Sequence, residues 1–147
     1  MTKLISLLLA LFIFCQAKTQ TADTTRNTSN TRTITEDTTV YEQSAVDSFA
    51  HFKGGNDAWV QFLGHNMRMD VAVRNGAGKG SYEAVAKFVV TKSGKIKNIV
   101  PQTTIGYGTE EELKRILKAS PKWVPATIKG QPVNSYLTQK VIFVVSI

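Results

Sequence analysis

The chain ends in a long stretch of alternating apolar and polar residues, and this stretch constrains the fold more than any other. After a turn at residues 129–132, a set of apolar side chains falls on one face of a period-two pattern. The members of this set are Leu137, Val141, Phe143, Val145 and Ile147. A period of two is typical of a β-strand with one buried face. A terminal strand of this length must lie inside a sheet or offer an edge with which another chain can pair.

The opposite face of this predicted strand is mixed in character. Tyr136, Thr138, Lys140 and Ser146 are polar or amphipathic, and Ile142 and Val144 add apolar surface. We therefore expect one face to pack on a core and the other to remain partly exposed.

Residues 1–17 have the composition of an export signal. Lys3 precedes an apolar stretch at residues 4–15, and Cys15-Gln16-Ala17 offers small residues where a signal peptidase cleaves. The stretch is shorter than the ~20 residues that span a bilayer. We predict a cleaved signal peptide and a periplasmic protein. The alternatives are a retained inner-membrane anchor and lipid attachment at Cys15, the only cysteine, so a chain cleaved after Ala17 forms no disulfide.

Residues 18–48 are rich in Thr, Asn, Ser and Asp and have almost no apolar side chain before Val40. Such a segment buries too little surface to offset the entropy of ordering, which predicts a flexible tether. Alternatively, residues 40–46 add a short strand or pack on the domain. Residues 49–147 carry fourteen basic and six acidic residues. Because these lysines are scattered and form no nucleic-acid motif, they favour acidic protein partners or anionic envelope surfaces over nucleic acid.

The periodicity of residues 49–147 predicts helix, strand, hairpin, strand, helix and final strand. The first helix follows Gly54-Gly55 with Asn56 as its cap, and residues 67–81 read as a loop. The hairpin joins strands at residues 82–90 and 95–101. In the second helix, Thr109 and Glu112 form the pattern of a capping box. The sum is an α+β domain with two layers, a small antiparallel sheet with two helices on one face.

Residues that would carry enzymatic chemistry are missing from this pattern. The glycines around Lys79 depart from a phosphate loop, since Val73 stands at the first glycine position and Gly80 replaces the hydroxyl. His51 and His65 are the only histidines, too few for a zinc site without cysteine. No serine lies on a nucleophile turn. We predict no enzyme, metal or cofactor, and a small hydrolase would lack its acid/base pair.

Several motifs together resemble a known family. They are Phe52-x-Gly-Gly-x-x-Ala-Trp, Ser93-Gly94, Gly106-x-Gly108, Ser120-Pro121-Lys122-Trp123-x-Pro125-Ala126 and Gly130-x-Pro132-Val133. Residues 49–147 thereby resemble the TonB C-terminal domain, and more narrowly the TonB-like proteins of the Bacteroidetes envelope. The resemblance implies a periplasmic domain that binds the N-terminal plug peptide of TonB-dependent outer-membrane receptors. Binding occurs by β-strand addition and supports energy-coupled transport of nutrients or siderophores, with no cofactor.

The peptide-binding residues that follow from this resemblance lie on the last strand and after the first helix. The strand residues, which act through their backbone groups, are Tyr136, Leu137, Thr138, Gln139, Lys140, Val141, Ile142, Phe143 and Val144. The helpers are Asn66, Met67 and Arg68. Trp123 and Pro125 are either core residues or part of the peptide-binding surface.

Two features depart from the family. Met69-Asp70 stands where the family has Tyr-Pro. The tether is rich in Thr, and the chain has no proline before Pro101. A protein with a cleaved leader would be a soluble binder, and contact with an inner-membrane motor complex requires a retained leader. The alternative function is a secreted structural domain of the envelope without receptor coupling, which forms a homodimer through its last strand or rests on peptidoglycan.

Overall fold

The structure, a computed structural model, describes residues 38–146. The elements in chain order are β1 (Val40–Tyr41), a 3-10 turn (Gln43–Ala45), α1 (Gly55–Asn66), α2 (Val71–Arg74), β2 (Gly80–Val90), β3 (Ile96–Pro101), α3 (Thr109–Ala119), β4 (Ala126–Ile128) and β5 (Gln131–Val145). The domain is α+β, as predicted. The predicted signal peptide, residues 18–37 of the predicted tether and Ile147 lie outside the described residues. Within residues 38–146, no helix is long and apolar enough to cross a membrane.

The sheet has five strands in the order β1-β5-β2-β3, and β4 also pairs with β5. β2 and β5 are antiparallel over their whole shared length, from Gly80 opposite Val145 to Val90 opposite Ser135. β1 runs parallel to β5. The sheet is therefore mixed, whereas the sequence predicted an antiparallel sheet. The difference arises because β1 comes from the stretch that composition assigned to the tether.

One face of the sheet is buried. Even-numbered side chains of β2 and odd-numbered side chains of β5 lie in a single core cluster with residues of α1 and α3. The buried members include Ala84, Ala86, Phe88, Val90, Leu113, Ile116, Leu117, Val141, Phe143 and Val145. Leu137 is partly buried against the same cluster. The predicted inward face of β5 is thus confirmed for the described residues.

Trp123 lies in the core rather than on a surface. Its ring centroid is 5.4 Å from those of Phe52 and Trp59 and 5.5 Å from that of Phe88. Its indole N–H donates to Ser120 Oγ at 2.9 Å. Its backbone N–H donates to Gly94 O at 2.9 Å, and a Cβ on Gly94 would lie 2.3 Å from Trp123 O. The close approach explains why a glycine stands in this turn.

The helix starts differ from the sequence prediction. α1 is preceded by Gly54 with φ 92°, so Asn56 is not its cap. α3 is preceded by Gly108 with φ 73°, so the predicted capping box is wrong. The Glu110 carboxylate instead accepts the N–H groups of Ile105 and Gly106 at 2.7 and 3.2 Å.

Glu112 joins the end of α1 to α3. Its side chain is 4% exposed and accepts hydrogen bonds from the Arg68 N–H at 2.7 Å and from Arg115 Nη2 at 2.6 Å. Arg115 Nη2 also donates to Asn66 O at 2.6 Å. The hydrogen bond from Arg115 lowers the pKa of Glu112 against the opposing effect of burial, and the Arg68 N–H adds to the lowering.

Replacing this carboxylate should destabilise the fold. We expect Glu112→Gln to lower the free energy of unfolding by about 1–3 kcal/mol, because a charged acceptor of buried donors is lost. Glu111→Gln, an exposed change in the same helical turn, should cost less than about 0.5 kcal/mol. Urea unfolding at pH 7 measures both values, and equal losses would contradict the role of Glu112.

The same pair of proteins should show a defined pH dependence. Because the pKa of Glu112 is lower in the folded state than its ordinary value of 4.5, its contribution is complete above that value. The contribution is lost as the pH falls through the folded-state pKa. The difference in unfolding free energy between wild type and Glu112→Gln should therefore shrink below that pH, as measured by urea titrations at several pH values.

Candidate functional site

The backbone of Val85 reveals which groups of β5 point away from β2. Its carbonyl accepts the Gln102 N–H at 2.8 Å, and its N–H donates to Thr103 Oγ1 at 3.1 Å. Both groups therefore point away from β5, although Val85 lies opposite Lys140. In an antiparallel pair, opposite residues either bond to each other or both point away. The amide and carbonyl of Lys140 must therefore point outward.

The same parity extends along β5. Thr138, Ile142 and Val144 also turn their backbone amides and carbonyls away from β2. On that side, β1 pairs with Asn134 and Ser135, and no other strand within residues 38–146 pairs farther along β5. We call residues 138–144, on the side away from β2, the open edge. At this edge, Gln139 Nε2 donates a hydrogen bond to Lys140 O at 3.3 Å.

A groove of about 460 Å³ runs beside the open edge, between it and α1. Its apolar lining consists of Trp59, Val60, Leu63, Met69, Val141 and Ile142, and its polar lining includes Asn56, Gln139 and Lys140. Val60, Met69 and Ile142 are 57%, 45% and 47% exposed. Exposed apolar side chains around a groove are typical of a site that receives another molecule.

A smaller cavity of about 160 Å³ adjoins this groove. The two share Asn56, Trp59 and Gln139 in their walls. The other residues that line the small cavity are Ala50, His51, Phe52, Gly55, Trp123 and Leu137. The apolar surface beside the open edge thus continues toward the start of α1.

The predicted strand residues differ in the direction in which their backbone amides and carbonyls point. Thr138, Lys140, Ile142 and Val144 present backbone groups at the open edge, and Tyr136 lies beside the end of β1. The backbone groups of Leu137, Gln139, Val141 and Phe143 face β2. Gln139 and Val141 nevertheless line the groove with their side chains.

The predicted helpers Asn66, Met67 and Arg68 do not line the groove. They lie at the junction of α1 with α3, where the Asn66 carbonyl and the Arg68 N–H are bonded to Arg115 and Glu112. Met67 is 8% exposed. Val60 and Met69 are groove residues that sequence reasoning missed, as are Asn56, Trp59, Leu63 and Gly64. A signal was present at Val60, which is apolar but lies off the buried stripe of its helix.

Charges near the groove are few. Lys140 Nζ lies 3.3 Å from Glu83 Oε2 on β2, and both side chains are at least half exposed. The groups with shifted pKa values, Glu110, Glu112 and Arg115, belong to α3 and do not line the groove. In the described part of the chain, no three His, Cys, Asp or Glu side chains are placed to hold a metal ion. The groove therefore offers shape, apolar contact and backbone hydrogen bonding.

No protein-family model, no curated protein and no solved structure matches the chain. The open edge and the groove are therefore the observations from which a function can be argued.

Amide hydrogen exchange should reveal the open edge directly. We expect the amides of Thr138, Ile142 and Val144 to exchange at least about 100-fold faster than those of Val141 and Phe143, because only the second group bonds to β2. Nuclear magnetic resonance of the protein in deuterated buffer measures each amide separately. Uniform slow exchange along β5 would mean that another segment already covers this side.

Proposed function

We propose that this chain is a periplasmic peptide-binding protein of the TonB C-terminal type, with a two-layer domain. It binds the N-terminal plug segment of an outer-membrane receptor by β-strand addition and thereby supports energy-coupled transport of nutrients or siderophores. The observation that carries the proposal is the open edge beside an exposed apolar groove. The motif resemblance in residues 49–147 supports the choice of partner.

Backbone pairing supplies affinity in this proposal. An extended segment laid against β5 meets the outward amides and carbonyls of Thr138, Lys140, Ile142 and Val144. Each net hydrogen bond contributes about 0.5–1.5 kcal/mol. The Gln139 side chain releases Lys140 O when the segment arrives. Because the edge belongs to a strand that is paired with β2 over eleven residues, it is already ordered before binding.

The groove supplies selectivity. Side chains of an added strand alternate between its two faces, so every second side chain enters the groove beside Val60, Leu63 and Met69. The remaining side chains of the added strand lie on the exposed face of the sheet, beside Lys140 and Val144. The preferred partner is an extended segment with large apolar residues at alternate positions.

The fate of the leader decides how this binding is used. We propose that the signal peptide is removed and that the protein acts as a soluble periplasmic binder or adaptor. A retained leader would give an inner-membrane anchored protein able to contact a motor complex. N-terminal sequencing of the protein recovered from cells tests this point, and a start at Lys18 supports the soluble form.

A proline within the open edge should weaken binding. Ile142→Pro removes one outward N–H and places a ring where the partner strand must lie, whereas Ile142→Ala removes the same apolar side chain and keeps the N–H. We expect the proline variant to bind a receptor plug peptide at least about tenfold more weakly than the alanine variant. Isothermal titration calorimetry with a panel of such peptides measures the difference, and circular dichroism confirms that both variants fold.

Two results would contradict the proposed function. One is the absence of heat with every peptide in the panel, and the other is equal affinity of the two variants. Light scattering over a range of protein concentrations tests the structural alternative, because a closed homodimer through β5 would hide the open edge. A monomer supports the proposed function.

A further inference from the structure

β1 lies on the same side of β5 as the open edge. Even-numbered residues of β5 turn their backbone groups to that side, and β1 pairs there with Asn134 and Ser135. The parallel register places Tyr41 opposite Ser135, between the outward groups of Asn134 and Tyr136. A strand added to the open edge would therefore lie in line with β1, and its end toward Tyr136 would meet Tyr41.

The contacts that hold β1 include an exposed ion pair. The Glu42 carboxylate accepts hydrogen bonds from Lys87 Nζ at 3.0 and 3.2 Å, and Asn134 Nδ2 donates to Thr39 O at 3.1 Å. The side chains of Lys87 and Glu42 are 36% and 59% exposed, and an ion pair this exposed contributes little. With only two residues in its ladder, β1 belongs to the weakly held part of the fold.

The segment that follows β1 is held more firmly. The Asp47 N–H donates to Thr127 O at 2.9 Å, and the Asp47 carboxylate accepts the Lys129 N–H at 2.6 Å. Ser48 forms a bridge with Thr127 in β4. Residues 42–46 thus connect a weakly attached strand to a fixed anchor.

We propose that β1 is an end stop that sets the length of the segment accepted by the open edge. This inference rests on the proposed function, since it concerns the same partner. While β1 is in place, a docked strand pairs with β5 from Thr138 to its end at Val145, a length of about eight residues. A longer segment must first displace β1, so residues beyond that length add no affinity.

The ease with which β1 opens can be tested without a partner. In the wild-type protein we expect the Tyr136 amide to exchange more slowly than that of Thr138 and faster than that of Val141, because only β1 covers it. Tyr41→Pro removes the N–H that faces the outward carbonyl of Asn134 and should release β1, so that Tyr136 exchanges as fast as Thr138. Tyr41→Ala keeps that N–H and should leave Tyr136 protected. A Tyr136 amide as slow as Val141, or unchanged by Tyr41→Pro, overturns the end stop.

The length limit is tested with the plug peptide that binds most tightly in the calorimetric panel. The peptide is lengthened from about six to about twelve residues at the end that lies toward Tyr136. Wild type and Tyr41→Ala should stop gaining affinity near eight residues. Tyr41→Pro should gain at least about threefold more from the added residues, which corresponds to at least one further backbone hydrogen bond.

The outcomes separate the two proposals. Tight binding that rises steadily with length in the wild type, or an identical plateau in Tyr41→Pro, overturns the end stop and leaves the docking function intact. Absence of binding to all three proteins overturns the docking function and the end stop together.

Discussion

The ladder between β2 and β5 is the interaction on which the rest of the structure depends. Its register places Val141, Phe143 and Val145 in the core and turns the backbone of Thr138, Lys140 and Ile142 outward. A slip by one residue would exchange the two faces of β5 and bury Lys140 in place of Val141. The core and the candidate site are therefore specified by the same set of hydrogen bonds.

An open edge is normally a hazard, because it can pair with any exposed strand. In this domain the hazard is reduced by a lysine at the middle of the edge, by a short strand at one end and by a helix close beside it. Under the proposed function the helix would also make the edge selective, since an incoming strand would place side chains against Val60 of α1 and against Met69, which follows α1. Features that limit unspecific pairing thus coincide with features that would select a partner.

Much of the fold could be predicted from sequence where a periodic pattern is present. The faces of β5, the β2–β3 hairpin and α3 follow from alternation, turn residues and helical spacing. For β1 the sequence left a tether and a short strand as alternatives, because Val40 and Tyr41 carry no periodic pattern and become a strand through pairing with β5. The capping box failed because Glu112 bonds to Arg68 and Arg115 instead, and a contact between residues 44 positions apart is invisible to local patterns. For the candidate site, the last strand could be predicted from sequence. Which of its backbone amides and carbonyls point away from β2 could not, because that follows from the bonds of Val85 to Gln102 and Thr103.

The side chain of Gln139 gives the edge a property that a bare strand would lack. A carboxamide has the same donor and acceptor chemistry as a peptide group, so its contact with Lys140 O imitates one bond of an absent neighbouring strand. At 3.3 Å this substitute bond is long, and exchanging it for a backbone N–H costs little. The Gln139 side chain thereby satisfies a solvent-facing carbonyl with a hydrogen bond that the N–H of an added strand would replace under the proposed function.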